Sequence, residues 1–204
     1  FSVGEETGFY IYNCDPPAKR FSRDGGKGIG IVEMLFRSNI FALVGGGESP
    51  KYPPNVLVIW DDHQSREIAQ LDFSDVITGV KLRKDAIFVA TVNVAYLYKF
   101  ADLTLIKKWS TCPNVRGVMS ISVDGDTVVA LPTIKHGEIV MDNISENITK
   151  TVEAHNTKIQ KLALNNSGDI LASASATGTL IRLWNTFNGD KLKEFRRGIE
   201  HVRI

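Results

Sequence analysis

Two adjacent arginines, Arg196 and Arg197, stand between Phe195 and Gly198 near the end of the sequence. A guanidinium offers a planar fork of N–H donors that grips a phosphate bidentately, a geometry lysine lacks. Successive side chains on a strand point to opposite faces, so two neighbouring arginines cannot share one pocket and each is expected to serve its own. The segment just before can line one of these with Ser173, Ser175, Thr179, Arg182 and His155. The plain alternative, a pair of solvated surface arginines, stays open at this level.

Other chemistry finds little support. Residues 25–30 read Gly-Gly-Lys-Gly-Ile-Gly, but a phosphate loop needs a hydroxyl after its lysine to hold magnesium, and here Gly28 follows Lys27. The histidines His63, His136, His155 and His201 show no metal-ligand spacing among themselves or with Cys14 and Cys112. No Gly-x-Ser-x-Gly elbow marks a nucleophile. The chain reads as a binding protein with no metal and no cofactor, not as an enzyme.

The elements that would carry the arginines are short and repetitive. Residues 9–13, 56–61, 94–100, 138–143 and 180–185 are β-rich runs that each end on a large side chain followed by a turn. Taking Tyr12, Trp60, Tyr98, Met141 and Trp184 as equivalent, the period is roughly 40 to 45 residues, that of a four-stranded WD-type propeller blade. The last repeat is the most legible, with strands over 158–165, 170–176, 180–186 and 191–197. Its turns carry Asn166-Ser167-Gly168-Asp169, Thr177-Gly178 and Asn188-Gly189. Earlier repeats show strand pairs within 34–44, 75–90 and 118–130, while residues 16–30 read as a mobile loop between strands. His155 holds the place where a WD repeat carries a histidine bound to an aspartate, and Thr177 stands where that aspartate would be. His155 is then either free for another partner or packed in a degenerate repeat.

The expected fold is therefore all-β, a seven-bladed WD40-like β-propeller of which about five blades are present, forming one domain over residues 1–204. A closed seven-bladed ring needs on the order of 300 residues, so the domain is expected to be incomplete at both ends. The formal net charge of +1 leaves no basic excess with which to coat nucleic acid, so anion binding must come from a local cluster. Two cysteines make no disulfide framework, which points to a reducing cytoplasm. No apolar run approaches the roughly 18 residues that would cross a membrane as a helix.

As a set, several stretches resemble the PROPPIN family, phosphoinositide-binding seven-bladed propellers that act in autophagy. They are Phe195-Arg196-Arg197-Gly198 preceded by Gly178-Thr179-Leu180-Ile181-Arg182; Asn13-Cys14-Asp15-Pro16; Met34-Leu35-Phe36-Arg37-Ser38-Asn39 leading into Ala42-Leu43-Val44-Gly45-Gly46-Gly47; and Pro53-Pro54-Asn55 with Ile59-Trp60-Asp61-Asp62. The resemblance implies recognition of phosphatidylinositol 3-phosphate and phosphatidylinositol 3,5-bisphosphate in membranes. It implies a first headgroup site of Arg196 with His155, Ser175, Thr179 and Arg182. A second would use Arg197 with a blade beyond Ile204, where the family also places an apolar membrane-inserting loop. It further implies autophagy proteins, including a lipid-transfer protein, as partners. The protein would be cytoplasmic and peripherally bound to autophagosomal precursor, endosomal or vacuolar membranes. Asn13 and Asp15 are either partner contacts or turn residues. The competing reading is a WD-type interaction scaffold that takes peptides at its central channel and binds no lipid.

Overall fold

Six-residue runs of alternating or continuous apolar residues, punctuated by Gly, Asn and Asp, favour strands joined by tight turns. The computed structural model describes residues 1–198 and 200, and every named element among them is a strand. The first sheet holds β1 (Ser2–Glu5), β2 (Gly8–Cys14) and β3 (Pro17–Asp24). The second holds β4 (Ile29–Met34), β5 (Ile40–Gly45), β6 (Val56–Asp61) and β7 (Arg66–Asp72). The third holds β8 (Ile77–Leu82), β9 (Ala86–Thr91), β10 (Val94–Lys99) and β11 (Leu105–Ser110). The fourth holds β12 (Ser120–Ile121), β13 (Val128–Pro132), β14 (Glu138–Asn143) and β15 (Ile148–Glu153), and the fifth β16 (Ile159–Leu164), β17 (Ile170–Ser175), β18 (Leu180–Asn185) and β19 (Lys191–Arg196). Each sheet is a meander in which consecutive strands pair, the blade unit read from the sequence.

Burial is graded across each sheet. β9 and β13 are buried at every position, and such strands are apolar throughout because both faces are covered. The last strand of each meander is exposed at half of its positions or more, and β19 at all of them. This grading explains one departure from the sequence reading. Residues 16–30 are not a loop: β3 pairs with β2 from Cys14↔Pro17 to Gly8↔Asp24. An outer strand with sequence PAKRFSRD buries almost nothing, so it carries no apolar alternation by which to be recognised. A second correction concerns the repeat. Trp60 and Trp184 are the fifth residues of β6 and β18, and the fifth residue of β14 is Asp142, not Met141.

Register shifts recur at matching places. Between the last two strands they fall at Ile11/Tyr12, Ile59/Trp60 and Leu183/Trp184, leaving Arg20, Ile68 and Leu192 as the extra residues. Each is a β-bulge, which bends the outer strand and resets which face its later residues occupy.

The chain divides into two compact units, the first from residues 1–91 with 98–104 and the second from residues 92–97 with the remainder. In the first, Phe9, Ile11, Ile29, Phe41 and Leu43 form a core, with the Phe9 and Phe41 rings 5.6 Å apart. In the second, Val118, Ala130, Ile139, Met141, Ala154, Ile159, Leu171 and Trp184 do so.

The second unit also buries a charge. Asp142 is fully buried and accepts hydrogen bonds from Trp109 Nε1 at 2.9 Å and Thr149 Oγ1 at 2.9 Å, while Lys107 Nζ lies 2.6 Å away. Replacing Asp142 by alanine strands an ammonium, an indole N–H and a hydroxyl together, and removing one partner of a buried pair costs about 3 kcal/mol. The expected outcome for Asp142→Ala is a drop of that size in urea-unfolding free energy. A drop below about 1 kcal/mol, the worth of an exposed pair, would show that the network contributes only as a surface contact.

Candidate functional site

The fifth sheet positions the arginines. β18 pairs with β19 as Leu180↔Arg196, Ile181↔Phe195 and Arg182↔Glu194, and β17 pairs with β18 as Ser173↔Arg182. Directly paired residues share a face and neighbours alternate, so Ser173, Ser175, Arg182, Glu194 and Arg196 lie on one face. Phe195 lies on the other, and Arg197 follows it there by the same alternation. The expectation that the two arginines diverge therefore agrees with the register. Arg197 stands just past the end of β19, with its N–H on Thr179 O at 2.8 Å and its Nε on Gly178 O at 2.9 Å. Arg196 is exposed and makes no hydrogen bond or ion pair with another described residue.

Register also shows what is particular to this sheet. The strand next to the outer one begins at Gly8, Val56, Glu138 and Leu180 in the first, second, fourth and fifth sheets. These residues pair with Asp24, Asp72, Glu153 and Arg196 respectively. At one structural position three sheets carry a carboxylate and the fifth a guanidinium. An anion would be repelled at the first three and attracted at the last.

The remaining members of the sequence-derived set fall into place unequally. His155 is buried, and its Nε2 lies 3.0 Å from Ser173 Oγ, which also accepts a hydrogen bond from Trp184 Nε1 at 2.8 Å. His155 is thus not free in the sense its missing aspartate suggested; the serine and the indole hold it. Thr177 Oγ1 instead bonds Ser175 Oγ at 2.9 Å, and Ser175 is buried. Thr179 is half-buried and lies against Arg197 through its carbonyl, whereas Arg196 pairs with Leu180. The structure brings His155, Ser175, Arg182 and Arg196 to one face and sets Thr179 beside Arg197.

Arg182 is held at both ends. Its Nε donates to Glu194 Oε2 at 2.7 Å and its Nη1 to Ala154 O at 2.5 Å. The turn that presents Ala154 and His155 depends on Gly137, whose carbonyl accepts both of their N–H groups. Gly137 has φ +80, and a Cβ there would meet His155 O at 1.8 Å, so only glycine fits. Glu194 and the Ala154 carbonyl are absent from the sequence-derived set. Glu194 lies two residues before Arg196, so alternation alone places both on one face; the carbonyl leaves no trace in the sequence.

Electrostatics follow from this packing. Burial, reinforced by the charge of Arg182, pushes the His155 imidazole down to about 4, against weaker opposing effects of Ser173 and Glu194. The hydrogen bond from Arg182, with the charges of Arg182 and Lys191, holds Glu194 below the usual carboxylate range. At neutral pH the face therefore carries a neutral imidazole, two guanidinium cations and one carboxylate. Among the described residues no group of acidic, histidine or cysteine side chains is arranged to hold a metal.

A run of four-stranded meanders with this repeat defines the class, a WD-type β-propeller. Over 99% of its length the chain superposes on Kluyveromyces lactis Hsv2 with a TM-score of 0.84 at 26% identity, covering 62% of that chain. It superposes equally well, at 0.84 and 25% identity, on a chain of the complex of KlAtg21 with the coiled-coil of AgAtg16, covering 100% of this chain and 69% of that one. It is 36% identical to autophagy-related protein 18e of Arabidopsis thaliana and 35% identical to SVP1-like protein 2 of Schizosaccharomyces pombe, in both cases over 100% of its length. It spans 56% and 57% of those two proteins, a little over half their length. The family described as PROPPIN matches residues 22–204, and the chain belongs to that family. Membership of a family of binding propellers sets it outside the enzymes.

The depressed His155 value makes stability depend on pH. An imidazole that titrates near 6.5 when unfolded and near 4 when folded is protonated first in the unfolded chain. Its contribution is therefore present above pH 6.5 and lost progressively as pH falls towards 4, amounting to about 2 kcal/mol by pH 5. The urea midpoint is expected to fall between pH 7 and pH 5 in the parent and to fall less in His155→Gln, which cannot titrate. Equal falls in the two proteins would assign the effect to other groups.

Proposed function

We propose that this chain binds the phosphorylated headgroup of 3-phosphoinositides on membrane surfaces, with Arg196 as the principal phosphate ligand. The observation that carries this reading is the exposed Arg196 guanidinium, unpaired among the described residues, at a register position where three other sheets place a carboxylate. Arg182, Ser175 and His155 stand on the same face and supply a second cation and a hydrogen-bonding wall. Arg197, whose N–H is held by the Thr179 carbonyl, follows Phe195 to the opposite face and would begin a second headgroup site there. The headgroups in view are phosphatidylinositol 3-phosphate and phosphatidylinositol 3,5-bisphosphate, as the family resemblance implies. A guanidinium fork matches the oxygens of a phosphomonoester, and each basic residue near an anionic leaflet contributes about 1 kcal/mol. Two headgroup sites on one rigid body would raise avidity by about 10² to 10⁴ over either alone.

On this reading the protein works in autophagy and in endosomal or vacuolar membrane traffic. It would be held peripherally on autophagosomal precursor, endosomal or vacuolar membranes and would recruit autophagy proteins, a lipid-transfer protein among them. A role in protein capture has its own support in the first unit. Tyr12, Asn13, Cys14, Asp15, Arg20 and Arg37 help line a pocket of about 770 Å³. Arg20 and Arg37 make no ion pair there with another described residue, which leaves two guanidinium groups for a partner. A similar chain stands in the complex of KlAtg21 with the coiled-coil of AgAtg16.

The test is sedimentation with liposomes containing phosphatidylinositol 3-phosphate. Arg196→Thr together with Arg197→Thr should abolish binding and lower the thermal melt only slightly, because the Arg196 side chain has no partner among the described residues and Arg197 loses only the bond from its Nε to the Gly178 carbonyl. Binding equal to the parent's would remove the headgroup reading and leave the protein-scaffold reading standing.

A further inference from the structure

Glu194 has no evident place in an anion site, yet it faces the same way as Arg196 and takes up a donor of Arg182. Its carboxylate stands on the phosphate-facing side of the sheet, two residues from Arg196, a separation of about 6.5 Å along a strand. The side chain is 37% exposed, so it can turn to solvent without opening the core, whereas Arg182, at 22%, is also tied to the Ala154 carbonyl and stays. We propose that Glu194 is an internal competitor for the headgroup: it occupies Arg182 until a phosphate displaces it, and its charge sets how many phosphates the Arg196 face prefers. This rests on the headgroup reading given above.

Two consequences follow from one carboxylate. Carboxylate and phosphate seek the same guanidinium fork, so a phosphate held by Arg196 gains the Nε side of the Arg182 fork only by releasing Glu194. A phosphate that stays on Arg196 alone feels the carboxylate as a like charge at a range shorter than the Debye length of about 8 Å, and salt does not remove the repulsion. That repulsion grows with the charge of the headgroup. A bisphosphate pays it more heavily than a monophosphate, which biases the face towards the singly phosphorylated ring. The shared ligand chemistry is a phosphomonoester on an inositol ring, in a lipid or free in solution.

Glu194→Gln keeps the size of the side chain and an oxygen for Arg182, and removes only the charge. The protein and this variant are compared on vesicles of phosphatidylcholine containing phosphatidylinositol 3-phosphate or phosphatidylinositol 3,5-bisphosphate. They are also titrated calorimetrically with inositol 1,3-bisphosphate and inositol 1,3,5-trisphosphate, with phosphatidylserine vesicles as the control for general charge. The variant is expected to bind about fivefold more tightly, with the larger gain for the headgroup bearing more phosphates, in solution as on vesicles. Glu194→Asp should bind like the parent, and Arg196→Thr should cancel the gain. Unchanged or weaker binding by Glu194→Gln, with the parent still dependent on Arg196, overturns the competitor and leaves the headgroup reading intact. A gain equally large on phosphatidylserine, or absent with the soluble inositol phosphates, overturns it as well by reducing it to surface charge. Failure of every protein to bind any headgroup overturns both.

Discussion

The hydroxyl of Ser173 is the point on which the proposed binding face depends. Almost wholly buried, it joins the imidazole of a turn that precedes the sheet to the indole of the sheet's third strand. A buried hydroxyl without partners costs free energy, and here both partners come from other elements, so the same bond that satisfies it fixes the turn against the sheet. Once that turn is fixed, the Ala154 carbonyl has one position, and Arg182 is drawn to it. Arg182 in turn holds Glu194, and the residue left over on that face is Arg196. The exposed cation is thus the end of a chain of satisfied hydrogen bonds that starts in the core.

The parts of this arrangement that bury apolar surface are the parts that can be read from sequence. Residues 56–61, 138–143 and 180–185 appear as strands with the same bounds in sequence and structure, because each alternates or fills a covered face. β7 and β11 leave little trace, since an outer strand that faces water at most positions need only avoid glycine and proline. β3 resembles a loop in the sequence because it too is mostly exposed. In the site, alternation along a strand is within reach of sequence reasoning, and it sends Arg196 and Arg197 to opposite faces as the register does. Glu194 obeyed the same rule but carried the wrong charge for a phosphate ligand and was passed over. The hold of Ser173 on His155 was hidden differently: the missing aspartate suggested a free ring, while a hydroxyl two strands away supplied the bond.

Anion recognition of the kind proposed would be local in character. A net charge of +1 gives almost no long-range attraction, and the acidic residues at the matching positions of other sheets oppose it. What remains is directional: a fork of donors at one place on one sheet. The fold does not dictate that place, since meanders of three or four strands recur in five sheets among the described residues, and the residue that ends the outer strand changes from one to another.

The bulge at Leu192 has a bearing on how such a face can change over generations. Because the pleat repeats every two residues, losing or gaining one residue in β19 before Arg196 would exchange the faces of everything that follows, so that Arg197 took the place of Arg196. Loops of a propeller tolerate insertion and deletion freely, but this strand is under a parity rule. Only paired length changes, or one change cancelled by a new bulge, would keep both arginines where they are. Length variation between related chains should therefore collect in the turns and spare the stretch from Lys191 to Arg196.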